Sequence, residues 1–132
     1  MSAIVGYVRY VLMQNSSVSA KVSSRIYPKR LPLNPTLPAM TIMLPAGKTE
    51  ISKDTYTRVS ITSFGVKSAS QSAYDAAWEL AELAKTVLLD HSGIRNGVYC
   101  NSIKHIADVE GKSEDNDIET VVSDYAVTWE KH

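Results

Sequence analysis

Four prolines, Pro28, Pro32, Pro35 and Pro38, fall within eleven residues. Proline fixes φ and supplies no backbone donor, so such a stretch is barred from the interior of a helix or sheet. Residues 28–38 must therefore run as an extended surface connection or arm, with regular structure built on either side. Directly after it, Pro38-Ala39-Met40-Thr41-Ile42-Met43-Leu44-Pro45 is an apolar run bounded by prolines, which reads as a buried strand.

Ahead of the prolines, residues 3–14 follow a helical period: Ile4, Tyr7 or Val8, Val11 and Leu12 form one stripe, with Ser2 placed to cap it and Gln14-Asn15-Ser16-Ser17 to end it. Ser23 to Tyr27 suits a short strand stopped by Pro28. Beyond the prolines, Ile51 to Lys67 is rich in β-branched and aromatic residues. Val59 and Ile61 share one parity there, Phe64 and Val66 the other, so a bulge near Thr62-Ser63 or a strand covered on both faces is expected, and Gly65 fits either. Residues 70–90 carry the strongest helical signal. Ser70 or Ser72 caps it, Ala73, Ala76, Ala77, Leu80, Ala84, Val87 and Leu88 form a wide apolar stripe, and Gly93 suits the left-handed position after it.

Val98 to Val109 has mixed parity. Thr120 to Trp129 alternates, with Val121, Tyr125, Val127 and Trp129 on one face. Residues 110–119 join them as an acidic hairpin loop. The resulting order, α-β-β-β-α-β-β, predicts a single α+β domain over residues 1–132. Its antiparallel-dominated sheet has about four to five strands, with two main helices packed on it.

A chain of 132 residues is one domain's worth and buries about two-thirds of the surface its unfolded form exposes. Cys100 is the sole cysteine, which excludes a disulfide scaffold. No apolar run reaches the ~20 residues that span a bilayer. The opening residues lack the basic region and cleavage pattern of a signal peptide, so a soluble protein of a reducing cytoplasm is expected. Net charge is zero, but residues 1–49 hold six basic residues and no acidic one, while the remainder holds eight basic and fourteen acidic. Such asymmetry suits complementary association surfaces, or else local neutralisation within the fold.

Chemistry is sparse. His91, His105 and His132 have no metal-ligand spacing, no serine sits in a nucleophile elbow, and the six glycines are dispersed. No catalytic, cofactor or metal residues are assigned, and the chain is not read as an enzyme. A hydrolase or isomerase using His105 with Asp108 or Asp124 would lack a recognisable nucleophile. Glu114, Asp115, Asp117 and Glu119 do not have the spacing of an EF-hand and read as a solvated hairpin tip. The basic residues of the first segment match no nucleic-acid signature, although a non-specific role near DNA needs only a surface potential.

The order of features is itself informative. An amphipathic helix is followed by Arg25-Ile26-Tyr27-Pro28, a proline-rich connection, Leu37-Pro38-Ala39-Met40-Thr41-Ile42 and a long strand from Tyr56 to Lys67. Ser68-Ala69-Ser70-Gln71-Ser72-Ala73-Tyr74-Asp75-Ala76-Ala77 then opens a long helix. Over nearly the whole chain this resembles the tail-completion or tail-terminator proteins of long-tailed bacteriophages. Ala39 stands where that family usually carries a larger apolar or aromatic residue.

The resemblance implies a structural virion protein at the head-proximal end of the tail, made in the host cytoplasm and assembled as a ring, typically a homohexamer. Such a ring caps the tail tube, stops its elongation and presents the surface that joins the head connector. Its partners would be itself, the tail tube protein and the head-completion protein. DNA would pass through its lumen without specific recognition, and no membrane is involved. In such a ring Arg25, Lys29 and Arg30 are expected to face acidic groups of a neighbouring subunit or the tube. Glu114, Asp115, Asp117 and Glu119 would face the lumen or a tail partner. The rival reading is a small α+β module that binds a ligand or nucleic acid as a monomer or dimer, using Tyr99, Tyr125 and Trp129.

Overall fold

The computed structural model describes residues 3–44, 56–111 and 117–131. Two helices open it, α1 (Ala3–Gln14) and α2 (Ser16–Val22). There follow β1 (Ile26–Pro28), β2 (Ala39–Met43), β3 (Tyr56–Val66), α3 (Ala73–Leu88), β4 (Gly93–Arg95), β5 (Val98–Gly111) and β6 (Ile118–Lys131). The strands form one sheet in the order β1-β2-β3-β6-β5-β4. β1 and β2 run parallel, and the other neighbouring pairs are antiparallel. The class is α+β, with a mixed sheet of six strands and three helices among the described residues, where the sequence suggested four to five strands and two main helices.

The two added elements, α2 and β4, are both short. Asn15, which ends α1, also caps α2: its side-chain oxygen accepts from the backbone N–H of Ser17 at 2.9 Å and of Val18 at 3.1 Å. Seven residues are too few for a helical period to declare itself. β1 and β4 are three residues each and lie at the two edges of the sheet, where short strands leave little unpaired backbone. Pro28 belongs to β1, at the edge, where its missing donor costs no ladder bond. Residues 29–38 then cross over to β2 without helix or strand, as the prolines require.

Helices and sheet share one core. Ile4, Val8 and Leu12 of α1, Val18 and Val22 of α2, and Leu80 and Leu88 of α3 pack with Ile26, Met40, Ile42, Val59, Ile61, Ile103, Tyr125, Val127 and Trp129. β6 alternates as expected, with Val121, Ser123, Tyr125, Val127 and Trp129 buried. In α3 the cap is Ser72, whose hydroxyl accepts from the N–H of Asp75 at 3.1 Å.

Three local expectations are corrected. β3 carries no bulge, because it pairs residue for residue with β6 from Tyr56↔Thr128 to Val66↔Ile118. Ser63 and Gly65 continue the buried, helix-facing parity of Val59 and Ile61, while Phe64 and Val66 turn to the opposite face. The apolar pattern slips because small residues are needed where α3 closes on the sheet. The bulges are in β5 instead, at Asn101 and Ile106, and they account for its mixed parity. After α3 the left-handed residue is Asp90 (φ 59°), not Gly93, which opens β4 beneath the Tyr7 hydroxyl.

Candidate interaction surfaces

The residues with chemical potential form two clusters. In the first, His105 Nε2 lies 2.8 Å from Asp108 Oδ1, and Lys85 Nζ donates to Asp108 Oδ2 at 3.0 Å and to Glu82 at 3.2 Å. The His105 ring meets Tyr125 edge-on at 5.4 Å. Burial pushes the Asp108 carboxyl up, but the Ser123 hydroxyl, His105 and Lys85 around it outweigh this and hold it below the usual carboxylate range. Asp108 is thus the hub. A nucleophilic relay needs the histidine between acid and nucleophile, whereas here the acid is central, so the cluster ties α3 to β5 and β6. Asp124 faces the other side of the sheet, held by Arg58 at 3.1 Å and Ser60 at 2.6 Å. Among the described residues, no group of three His, Cys, Asp or Glu side chains is placed to hold a metal ion.

The second cluster lines a cleft of about 510 Å³ between α1 and the β4–β5 turn, bordered by Arg9, Tyr10, Met13, Arg95 and Asn96. The Arg95 guanidinium stacks 3.3 Å over the Tyr10 ring. Tyr7 forms its inner wall, its hydroxyl 2.8 Å from His91 Nε2. Burial first, then Cys100 and Tyr10, push the Tyr7 phenol up to about 12, and burial pushes the Cys100 thiol up to about 11, where it is an inert thiol at neutral pH.

Burial also lowers His91 below its ordinary 6.5. The folded chain therefore takes up this proton less readily than the unfolded one, so stability is full above pH 6.5 and falls as the solution is acidified. Thermal unfolding across a pH series should show a midpoint that declines as the pH falls below about 6.5. His91→Phe should flatten that limb and leave the lower one, where Asp108 protonates. An unchanged limb in the variant would remove His91 as its source.

The basic residues singled out in the sequence have different fates. The Arg25 guanidinium is committed to backbone, donating to Pro38 O at 3.0 Å and Lys21 O at 3.3 Å. Arg9 likewise donates to Ile26 O at 2.6 Å, and Lys21 pairs at the surface with Glu79, which offsets one basic charge of the first segment within the subunit. Lys29 and Arg30 stand exposed beyond β1, followed by Leu33 at 92% exposure. Of the acidic residues, Glu114 and Asp115 lie outside the described residues. Asp117 and Glu119 sit where β6 begins, beside the end of β3: Lys67 N donates to Asp117 O at 2.8 Å and Glu119 is paired with Gly65.

One surface was not anticipated. On β5, Glu110 Oε1 accepts from the Tyr74 hydroxyl at 2.6 Å and from Trp78 Nε1 at 3.1 Å. Tyr74 is 49% exposed, and on β5 itself Ile106 (44%) and Val109 (59%) are open to solvent. β4 pairs with Val98, Tyr99 and Cys100 and no further, so among the described residues the outer edge of β5 from Ser102 to Gly111 has no strand beside it. The available signal was an aromatic pair at i, i+4 on α3, lying off its alanine stripe. Tyr125 and Trp129, by contrast, are core residues and offer no stacking platform to a ligand or nucleic acid.

No protein-family model and no curated protein matches the sequence. The fold has a counterpart among solved structures. A chain described as part of the virion of a native gene transfer agent particle superposes with a TM-score of 0.70, covering 99% of this chain and 100% of that one, at 11% identity. At that identity the likeness is one of fold. No described helix is long and apolar enough to cross a membrane.

Proposed function

We propose that the chain is a structural virion protein that caps a phage tail tube as a hexameric ring, stops tube elongation and provides the head-joining surface. The observation that carries this is the end-to-end correspondence with a chain of a gene transfer agent virion. The order of sequence features pointed independently to tail-completion proteins. Bond-making chemistry has no part in this role: the two polar clusters tie elements of the fold together.

A closed ring uses heterologous contacts, in which one surface of a subunit meets a different surface of the next. The two edges of this sheet differ in the required way. Beyond β1 the chain presents Lys29 and Arg30, positioned by Arg25, which holds the end of the proline segment through Pro38 O. The β5 side presents carboxylates and aromatics. Glu114, Asp115, Asp117 and Glu119 are proposed to face the lumen or a tail partner, where negative charge keeps passing DNA from adhering. The tube protein and the head-completion protein are the proposed partners, at the head-proximal end of the tail.

The test is a tube-elongation assay. Added to growing tubes of the cognate tail-tube protein, the chain should arrest elongation and label one tube end by immunogold, with six copies per end by native mass spectrometry. Tubes that lengthen at an unchanged rate without end-labelling would overturn the proposal.

A further inference from the structure

We infer that the proline-rich arm of one copy docks on the β5 edge and its Tyr74–Trp78–Glu110 platform in the next copy. The inference rests on the ring reading and names the two surfaces that form its repeating contact.

The donor side is built to present a fixed shape. Residues 29–38 have no helix or strand, but three prolines restrict them, Lys29 N donates to Ile42 O at 2.7 Å at one end, and Arg25 holds Pro38 O at the other. A restrained loop loses little entropy on binding. Its exposed residues include Lys29, Arg30 and Leu33, and a leucine 92% exposed on a restrained loop is an anchor without a socket in its own subunit.

The acceptor side answers each feature. Glu110 engages both ring donors through a single oxygen, Oε1, so its carboxylate keeps acceptor capacity, and Glu82 on the same side is more than half exposed. These match Lys29 and Arg30 in charge. Ile106 and Val109, the latter on the face of β5 opposite Glu110, supply exposed apolar surface along the edge for Leu33. Proline-rich segments dock on aromatic-lined surfaces because little of their conformational freedom remains to be lost. The backbone of β5 beyond Ile103, whose carbonyl already accepts from Asp90 N at 3.1 Å, can also pair with the non-proline residues of an extended neighbour.

Topology makes the contact intermolecular. β2, β3 and β6 lie between β1 and β5, which puts the two surfaces about 19 Å apart across the sheet and on opposite edges. A subunit cannot join its own two edges, so the contact propagates head to tail until a ring closes.

Cross-linking on tubes tests it. The chain carrying both Leu33→Cys and Val109→Cys is added to tail tubes and treated with a short bismaleimide. Cys100 is buried and spared. A ladder of covalent multimers up to six chains is expected on a denaturing gel, and none from Leu33→Cys alone. Capped tubes without a ladder would overturn this contact and leave the capping role standing. A ladder without capping would uphold the contact and overturn the tail role, while loss of both would overturn both. A ladder from Leu33→Cys alone would mean arm meets arm, which also overturns the inference. As a second reading, Lys29→Glu with Arg30→Glu should reduce ring recovery by about tenfold, and adding Glu110→Lys in the same chain should restore much of it. Recovery that stays low in the combined variant, with both chains folded by circular dichroism, would count against the pairing.

Discussion

Replacing Gly65 with alanine is expected to destabilise the fold by about 3 kcal/mol, the upper part of the range for overpacking a close-packed site. A Cβ at this position would fall 2.6 Å from Ala73 O and 2.7 Å from Ala77 Cα, and closer still to Ala77 N. All three are backbone atoms of α3, so no side chain can swing aside and the helix itself must lift. Lifting α3 would also separate Ala77 and Ala81 from Val121. For a domain of this size the thermal midpoint should drop by about 12 °C. Gly65→Val should leave no folded protein. Gly97 is the control: its φ is 82° and nothing lies within 4 Å of an added Cβ, so Gly97→Asn, which tolerates that conformation, should cost under about 1 kcal/mol. If Gly65→Ala proves as mild as Gly97→Asn, the close approach of α3 to β3 is wrong.

The same glycine shows where the sequence was legible and where it was not. β6 could be read directly, because one face is buried and the other is not, and Val121, Tyr125, Val127 and Trp129 keep step throughout. α3 was legible from its alanine stripe and Ser72, and β2 from the prolines that bound it. In β3 the pattern misled, since Ser63 and Gly65 are buried for their small size while Phe64 and Val66 lie on the other face. Hydrophobicity alone cannot mark a position whose requirement is the absence of a side chain. The parallel pairing of β1 with β2, set by register Ile26↔Met40, leaves no trace in local composition.

Surfaces were harder still. Arg25, Lys29 and Arg30 are close neighbours in sequence, yet Arg25 serves the backbone and the other two reach solvent. That division depends on where Pro38 O lies after a crossover of the chain. Tyr74, Trp78 and Glu110 come together only because β5 lies next to β6 beneath α3, a strand order no periodicity reveals. The sequence left Asp108 and Asp124 open as partners of His105, and the fold brings Asp108 to it while Asp124 joins Arg58 and Ser60. The role of Asp108 as hub needed Lys85, from another element, to become visible.

Trp129→Ala is expected to cost about 4 kcal/mol, within the range for deleting a large aromatic from a core. Trp129 is 2% exposed and among the largest fully buried or nearly buried side chains. Its Nε1 donates to Thr57 Oγ1 at 2.9 Å, binding β6 to β3, and it lies opposite Cys100 on β5. The substitution therefore removes core volume and a buried hydrogen bond at the strand between both proposed assembly edges. Trp129→Phe keeps most of the ring and loses the donor, so about 1.5 kcal/mol is expected, and the difference between the variants measures packing apart from hydrogen bonding. Urea unfolding followed by the fluorescence of Trp78 provides both numbers, since that indole remains in each variant. The midpoint should fall with an unchanged slope, the mark of lost stability without a change in the surface exposed on unfolding. Set against a typical total of about 5–15 kcal/mol, a loss of this size leaves a folded but marginal subunit. Because β3 and β5 both pair with β6, such a subunit should lose ring assembly before it loses secondary structure. A loss below about 1.5 kcal/mol for Trp129→Ala would mean the indole does not fill the core as described.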